Sequence, residues 1–304
     1  MRRVAIVLGI IILGITVLVY PIISNYFMEL NGSYAIEAYQ EQIAEFDEAE
    51  VAVAWAEAEQ YNESLTGSPV HDPFIEGTGM AMPEDYWRVL DLGGLMGSVE
   101  IPKINVNLPI YHGTSERVLR EGAGHLEGST MPIGGPSRHA VLTGHSGLTS
   151  ARLFTDLTEM QIGDLFYLHV LGQTLAYKVD QIKIIEPQFT DDLKRVDGRD
   201  LCTLLTCTPY GINSHRLLVR GERVDYVPEE KAAIIPVRTS EADDMVMEAA
   251  IITSTIMLSL IIIVLIARRR RERAEAEPVE AKPRKVSTNR KPSRRRSTPS
   301  RRRW

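Results

Sequence analysis

Cys202 and Cys207 are the only thiols in the chain, and Cys207 stands where a thiol could react. It ends the apolar run Thr203-Leu204-Leu205-Thr206-Cys207, and Thr208-Pro209-Tyr210-Gly211 follows. A strand end is rigid enough to aim a nucleophile and open enough for a substrate to reach it. A lone cysteine is also at home as a small buried hydrophobe. Reactivity needs a nearby imidazole that takes the proton and forms a thiolate–imidazolium pair. Seven histidines compete for that role: His71, His112, His125, His139, His145, His169 and His215. His145 is the best placed. It follows the apolar strand Ala140-Val141-Leu142-Thr143, and Gly144, Ser146 and Gly147 leave its ring unobstructed. His139 opens a strand and His169 lies within one, so both have ordinary structural readings. His215 is a rival at the mouth of the next strand. Beside it, Arg216 opens Leu217-Leu218-Val219. If residues 209–214 form a turn, Arg216 lies next to Cys207 across an antiparallel pair. A guanidinium there could donate to a developing oxyanion or to substrate carbonyls, or simply form a surface ion pair.

The offset of five residues puts Cys202 and Cys207 on opposite faces of a strand, which argues against a disulfide between them. Two cysteines also exclude a disulfide framework and a four-cysteine zinc site. The chain has no HExxH, no CxxC, no P-loop and no GxGxxG after a strand. No metal or other cofactor is expected.

The elements that must position these groups are mainly β. From Gly94 on, short apolar runs alternate with turn residues, over 97–101, 108–111, 139–143, 165–170, 175–185, 201–207 and 217–224. Leu171-Gly172-Gln173-Thr174 reads as a hairpin turn. Seven or more short strands with few long helices predict an antiparallel barrel or sandwich, with one short helix over 150–157. Upstream, residues 33–64 are rich in Ala and Glu, free of Gly and Pro, and carry Ile36, Tyr39, Ile43 and Phe46 at helical spacing. This predicts a helix capped by Ser33 and stopped at Gly67. Residues 66–85 hold Gly67, Pro69, Pro73, Gly77, Gly79 and Pro83 and predict a long loop.

Two apolar runs flank this region. Residues 4–23 follow Arg2 and Arg3, and residues 249–267 precede Arg268-Arg269-Arg270-Arg271. Each is long enough to span a bilayer as a helix. The first fits either a secretory signal peptide or an uncleaved signal anchor; its length and the lack of a clear small-residue cleavage site after it favour the anchor. Positive charge outside both spans predicts both termini in the cytoplasm and the intervening region outside the cell membrane. The net charge of −6 conceals an asymmetry: 16 Lys/Arg against 4 Glu from Ala267 onward, but 16 against 36 acidic residues between Phe27 and Ala250. The basic tail suits the anionic lipid beside it better than nucleic acid.

With these residues in view, the chain resembles a known family. Thr203-Leu204-Leu205-Thr206-Cys207-Thr208-Pro209-Tyr210-Gly211, followed by His215-Arg216-Leu217-Leu218-Val219-Arg220-Gly221, resembles the catalytic strand pair of sortases. The Pro-Tyr-Gly extension points to the pilus-assembly class C. Thr143-Gly144-His145, Ser150-Ala151-Arg152-Leu153-Phe154, Ile101-Pro102-Lys103-Ile104 and Gly124-His125-Leu126 also fit. The similarity covers roughly residues 94–226. Two positions depart from it: Ser146, where relatives often carry a basic residue, and Cys202, where an apolar strand residue is usual and which is read as core.

The resemblance implies an eight-stranded sortase-type β-barrel with short helices, an N-terminal helical segment and two transmembrane helices. The implied organisation is a signal anchor over 1–27, helix and lid over 28–93, the barrel over 94–228, a linker over 229–248, a second span over 249–267 and a basic tail over 268–304. The implied catalytic residues are His145, Cys207 and Arg216. The implied substrates are LPXTG-type pilins or surface proteins cleaved between Thr and Gly, with a pilin lysine as the accepting amine. A cell-wall-anchoring sortase and a non-transferring cysteine peptidase are the alternatives. Class C members carry a lid with an Asp-Pro-aromatic motif, and Asp72-Pro73-Phe74 matches it. There Asp72 would pair with Arg216, and Phe74 would cover the thiol.

Overall fold

A computed structural model describes residues 2–65, 70–75, 82–236 and 241–276. Eight strands, β1 (Gly97–Ile101), β2 (Val106–His112), β3 (Ala123–His125), β4 (Arg138–Thr143), β5 (Leu165–Val170), β6 (Gln173–Ile185), β7 (Asp200–Thr208) and β8 (His215–Val224), close into a barrel. Its order is β1-β2-β3-β4-β7-β8-β6-β5. Pairing is antiparallel except at β2–β3 and β4–β7, which are parallel. The predicted turn joins β5 to β6 through Leu171 and Gly172, with φ of 48° and 76°. Two positive φ values in a two-residue loop match the right-handed strand twist.

The period of two along β7 decides what faces the site. Cys202 and Leu204 point into the barrel, in the main core with Ile101, Phe166 and Val219. Leu205 points outward, into a second apolar cluster with Val70, Leu126, Val141, Leu193 and Leu218, against which Phe74 packs. Burial on both faces explains why this strand reads as a continuous apolar run and not as an alternation. Cys207 shares the outward face with Leu205, beneath the segment that carries Val70 and Phe74.

The N-terminal helix differs from expectation. Helix α1 (Arg2–Glu45) is continuous from the first apolar run, and Ser33 lies inside it, its hydroxyl donating to the Leu30 carbonyl at 2.8 Å. The helix runs on through Gly32, an isolated glycine that weakens a helix without ending it, so the cap has no role there. The break comes at Phe46-Asp47, where Asp47 caps α2 (Glu48–Ser64) in a reciprocal capping box with Glu50. Ile36 and Tyr39 of α1 are buried on the barrel. The Tyr39 hydroxyl accepts from the Leu171 N–H at 2.9 Å and donates to the Met96 carbonyl at 3.3 Å.

Two short helices follow, α3 (Glu84–Arg88) and α4 (Glu116–Glu121), the second between β2 and β3. The helix expected over 150–157 is instead a 3₁₀ turn at Thr155–Glu159. After β8 come α5 (Pro228–Ala232) and α6 (Glu241–Ala276). Stretches of α1 within Ile12–Glu45 and of α6 within Ile251–Arg270 are long and apolar enough to cross a membrane. Residues 66–69 and 76–81 of the expected loop, and residues 277–304 of the basic tail, lie outside the described residues.

Candidate active site

Strand register brings His145, Cys207 and Arg216 together. β4 and β7 run parallel with Thr143 level with Leu205, which places His145 level with Cys207 two residues on. The Gly144 N–H extends the ladder to the Leu205 carbonyl at 3.1 Å. Two hydroxyls fasten the segment. Thr206 Oγ1 donates to the Gly144 carbonyl at 2.7 Å, and Ser146 Oγ donates to the Cys207 carbonyl at 2.6 Å. Gly144 is required by close approach, since a Cβ there would lie 2.7 Å from the Phe154 ring. β7 and β8 are antiparallel with Cys207 directly opposite Arg216. Directly opposite residues share a face of the sheet.

Arg216 is fully engaged. Its Nε and Nη2 donate to Asp72 at 2.6 and 3.0 Å, a bidentate pair, while Nη1 donates to the Asn213 and His215 carbonyls, both at 3.0 Å. The side chains of Arg216 and Asp72 are only 5% and 3% exposed. The Asp72 carboxylate also accepts from the Phe74 N–H at 2.9 Å, folding the chain back at Pro73. This aims the Phe74 ring between the other groups. Its centroid is 5.1 Å from the Arg216 guanidinium and 5.4 Å from the His145 ring centroid. The segment anticipated from the Asp-Pro-aromatic motif therefore lies across the site.

Asp72, Pro73, Phe74, His145, Cys207 and Arg216 line one cleft of about 810 Å³. Cys207 is 7% exposed. Burial pushes its thiol up to about 11, an effect the Arg216 charge opposes and the Asp72 charge reinforces. In this arrangement Cys207 is a covered, neutral thiol. Cys202 is buried in the barrel and, like Cys207, is not in a disulfide.

His71 lines the same cleft, while four of the other histidines have separate roles. His125 and His139 are buried, and burial pushes both down to about 4. His125 bonds to Tyr86, Ser129 and Thr130, and His139 to Thr203 and the Lys194 carbonyl. His169 pairs with Glu100, and His215 contacts Ser214 outside the cleft lining. One further group meets the site that the sequence did not single out. Glu116 Oε2 lies 3.2 Å from His145 Nε2. No local pattern marks it, because α4 reaches the histidine only through the fold. Among the described residues, no group of His, Cys, Asp and Glu could hold a metal ion.

Comparison with known proteins agrees with this architecture. A model of the sortase domain matches residues 99–224. The solved sortase C-1 of Streptococcus pneumoniae is 49% identical, with a TM-score of 0.61, over 64% of this chain and 100% of that one. Sortase C-1 of Actinomyces oris is 50% identical, with a TM-score of 0.56, over 58% of this chain and 99% of that one. Sortase A of Streptococcus agalactiae is 30% identical over 131 residues, which is 42% of this chain and 52% of that protein. The chain thus spans about half the length of that curated relative. With nearly all of two solved class C sortases matched at about half identity, and with the barrel, strand register and cleft described above, the chain belongs to the sortase family of cysteine transpeptidases.

Proposed function

We propose that the chain is a class C sortase that polymerises pilins at a Gram-positive surface. Cys207 attacks the Thr carbonyl of an LPXTG-type sorting signal. The Sγ–C bond forms, the Thr–Gly C–N bond breaks, and the thiol proton passes through His145 to the departing glycine amine. Arg216 holds the substrate or the developing oxyanion with its planar donor fork. A pilin lysine amine then attacks the thioester. The new C–N bond forms, the C–S bond breaks, and a proton returns to Cys207. The observation that carries this reading is the Asp72–Arg216 pair with Phe74 on His145, over a covered Cys207. It is the arrangement of an enzyme that exposes its nucleophile only when the lid moves, which limits wasteful hydrolysis.

In this reading, residues 94–228 form the catalytic domain outside the cell membrane, between spans at 1–27 and 249–267. Residues 28–93 supply the packing helix and lid. The Arg-rich tail meets anionic lipid on the cytoplasmic side.

The enzyme incubated with LPXTG-bearing pilin subunits is expected to give covalent ladders that survive boiling in detergent, and Cys207→Ala to give none. Transfer only to a wall-precursor amine would make it an anchoring sortase. Release of the cleaved signal to water alone would make it a peptidase.

A further inference from the structure

We propose that Glu116 is a positioning residue for His145: its carboxylate accepts the Nε2 proton of the imidazole, leaving Nδ1 to exchange protons with Cys207 and the substrate. The proposal rests on the transpeptidase reading above. Its structural part concerns a contact that reading does not use.

A neutral imidazole carries one donor nitrogen and one acceptor nitrogen, and the partner of one sets the role of the other. Glu116 Oε2 is 3.2 Å from His145 Nε2. An ionised carboxylate only accepts, so the nitrogen facing it must carry the proton. Glu116 is held below the usual carboxylate range, first by its bond with Arg120 and also by His145. It is therefore ionised at neutral pH.

The carboxylate is aimed. Its other oxygen, Oε1, accepts from Arg120 Nε at 2.6 Å, one helical turn on. α4 is fixed to the barrel by buried Val118 and Leu119, and the Ser115 hydroxyl accepts from the Val118 N–H at 3.4 Å to cap it. The remaining carboxylates lining the cleft are committed elsewhere. Asp72 is on Arg216. Glu127 accepts from the Thr114 N–H at 3.1 Å and the Thr114 hydroxyl at 2.8 Å. The other groups around the ring are the Cys207 thiol, the Arg216 cation paired with Asp72, His71 and Arg120 in the same cleft, and the Phe74 ring. Among the described residues, Glu116 is the one carboxylate bonded to His145.

The contact also suits both protonation states. A neutral ring presents its Nδ1 lone pair for the thiol proton. Once protonated, the imidazolium keeps its Nε2–H on a negative partner while Nδ1–H faces the leaving amine. Glu116 belongs to α4 and not to the segment Asp72-Pro73-Phe74, so the carboxylate reaches His145 from a separate element.

The test reads the ring directly. The full chain in detergent micelles, carrying Cys207→Ala and labelled with ¹⁵N at histidine, is compared with and without Glu116→Ala and Glu116→Gln. His145 is assigned by its loss in His145→Ala. At a pH where the ring is neutral, the parent is expected to show a fixed Nε2–H tautomer. Glu116→Ala should move the ring nitrogens toward the averaged values of an unrestrained ring. Glu116→Gln keeps a side-chain carbonyl acceptor and should retain the parent pattern. With an active thiol, Glu116→Ala should lower kcat for sorting-peptide cleavage about tenfold with KM within about twofold, and Glu116→Gln should recover most of it. Ring nitrogens unchanged in Glu116→Ala would overturn the assignment, even if activity fell. Glu116 is 60% exposed in its side chain, so folding is not at stake. The tautomer measurement needs no substrate. A wild type that fails to cleave the peptide would sink the proposed function and leave Glu116 to be judged on its own spectrum.

Discussion

Asp72→Ala is expected to raise the rate at which a small thiol reagent modifies Cys207 by about a hundredfold at neutral pH, because removing one partner of a buried ion pair costs about 3 kcal/mol or more. Asp72 and Arg216 are 3% and 5% exposed and joined by two bonds. Without Asp72, closure would leave the Arg216 charge buried with its main partner gone. That cost falls on the closed arrangement alone, since water reaches the guanidinium once the lid moves. A difference of about 3 kcal/mol is about two decades in the open population. Phe74→Ala should act in the same direction but less, because it removes a ring face from the cation and from His145 without stranding a charge. The pH dependence provides a second reading of the same assay. Only the thiolate reacts. In the wild type, labelling should keep climbing with pH toward about 11, the value to which burial pushes the thiol. In Asp72→Ala the burial and the reinforcing carboxylate are both removed and the Arg216 cation remains, so the rate should level off at lower pH. Labelling that is unchanged in rate and in pH dependence would mean that the segment does not gate the thiol.

Arg216→Lys should move two observables in opposite directions. Turnover, as kcat/KM for a sorting peptide, is expected to fall by about 10²–10³, the usual loss when a preorganised oxyanion donor is removed. Thiol labelling should rise, because an ammonium cannot reproduce the bidentate geometry that holds Asp72. Arg216 makes four bonds in a fixed plane, two to Asp72 and two to backbone carbonyls. A lysine keeps the charge and loses the fork. Cys202, buried in the barrel, is the internal control: a general loss of folding would label both thiols, whereas loss of the Asp72 contact should label Cys207 alone. Near-normal turnover would remove Arg216 from the catalytic set.

These expectations indicate what could be read from the sequence. The Cys207–Arg216 juxtaposition was legible because one short turn joins two apolar runs, and a hairpin fixes which residues oppose. His145 was legible from its glycine frame at a strand end, and Gly144 proves to face the Phe154 ring. The Asp72-Pro73-Phe74 segment was legible from its residues as a Gly/Pro-rich loop, and its pairing with Arg216 only through the family resemblance. Its docking links positions 144 residues apart, and no local pattern carries such a contact. β3 escaped notice because Ala123-Gly124-His125 is too short to show alternation. The α1–α2 break was hidden in an Ala/Glu-rich stretch, although Asp47 and Glu50 form the capping signature that marks it. Glu116 had no signal at all. It acts through a six-residue helix whose position depends on two flanking strands.

The central claim is that Cys207 carries the acyl group. It is tested most directly by the intact mass of the full chain after incubation with an LPXTG peptide and no added amine. The wild type and, more strongly, Asp72→Ala should gain the mass of the peptide's acyl half on Cys207 as the glycine-led half is released. Addition of a lysine-bearing acceptor should discharge the adduct. Cys207→Ala should show neither adduct nor release. Cleavage by Cys207→Ala at the wild-type rate, or no adduct on Cys207 even in Asp72→Ala, would contradict the account.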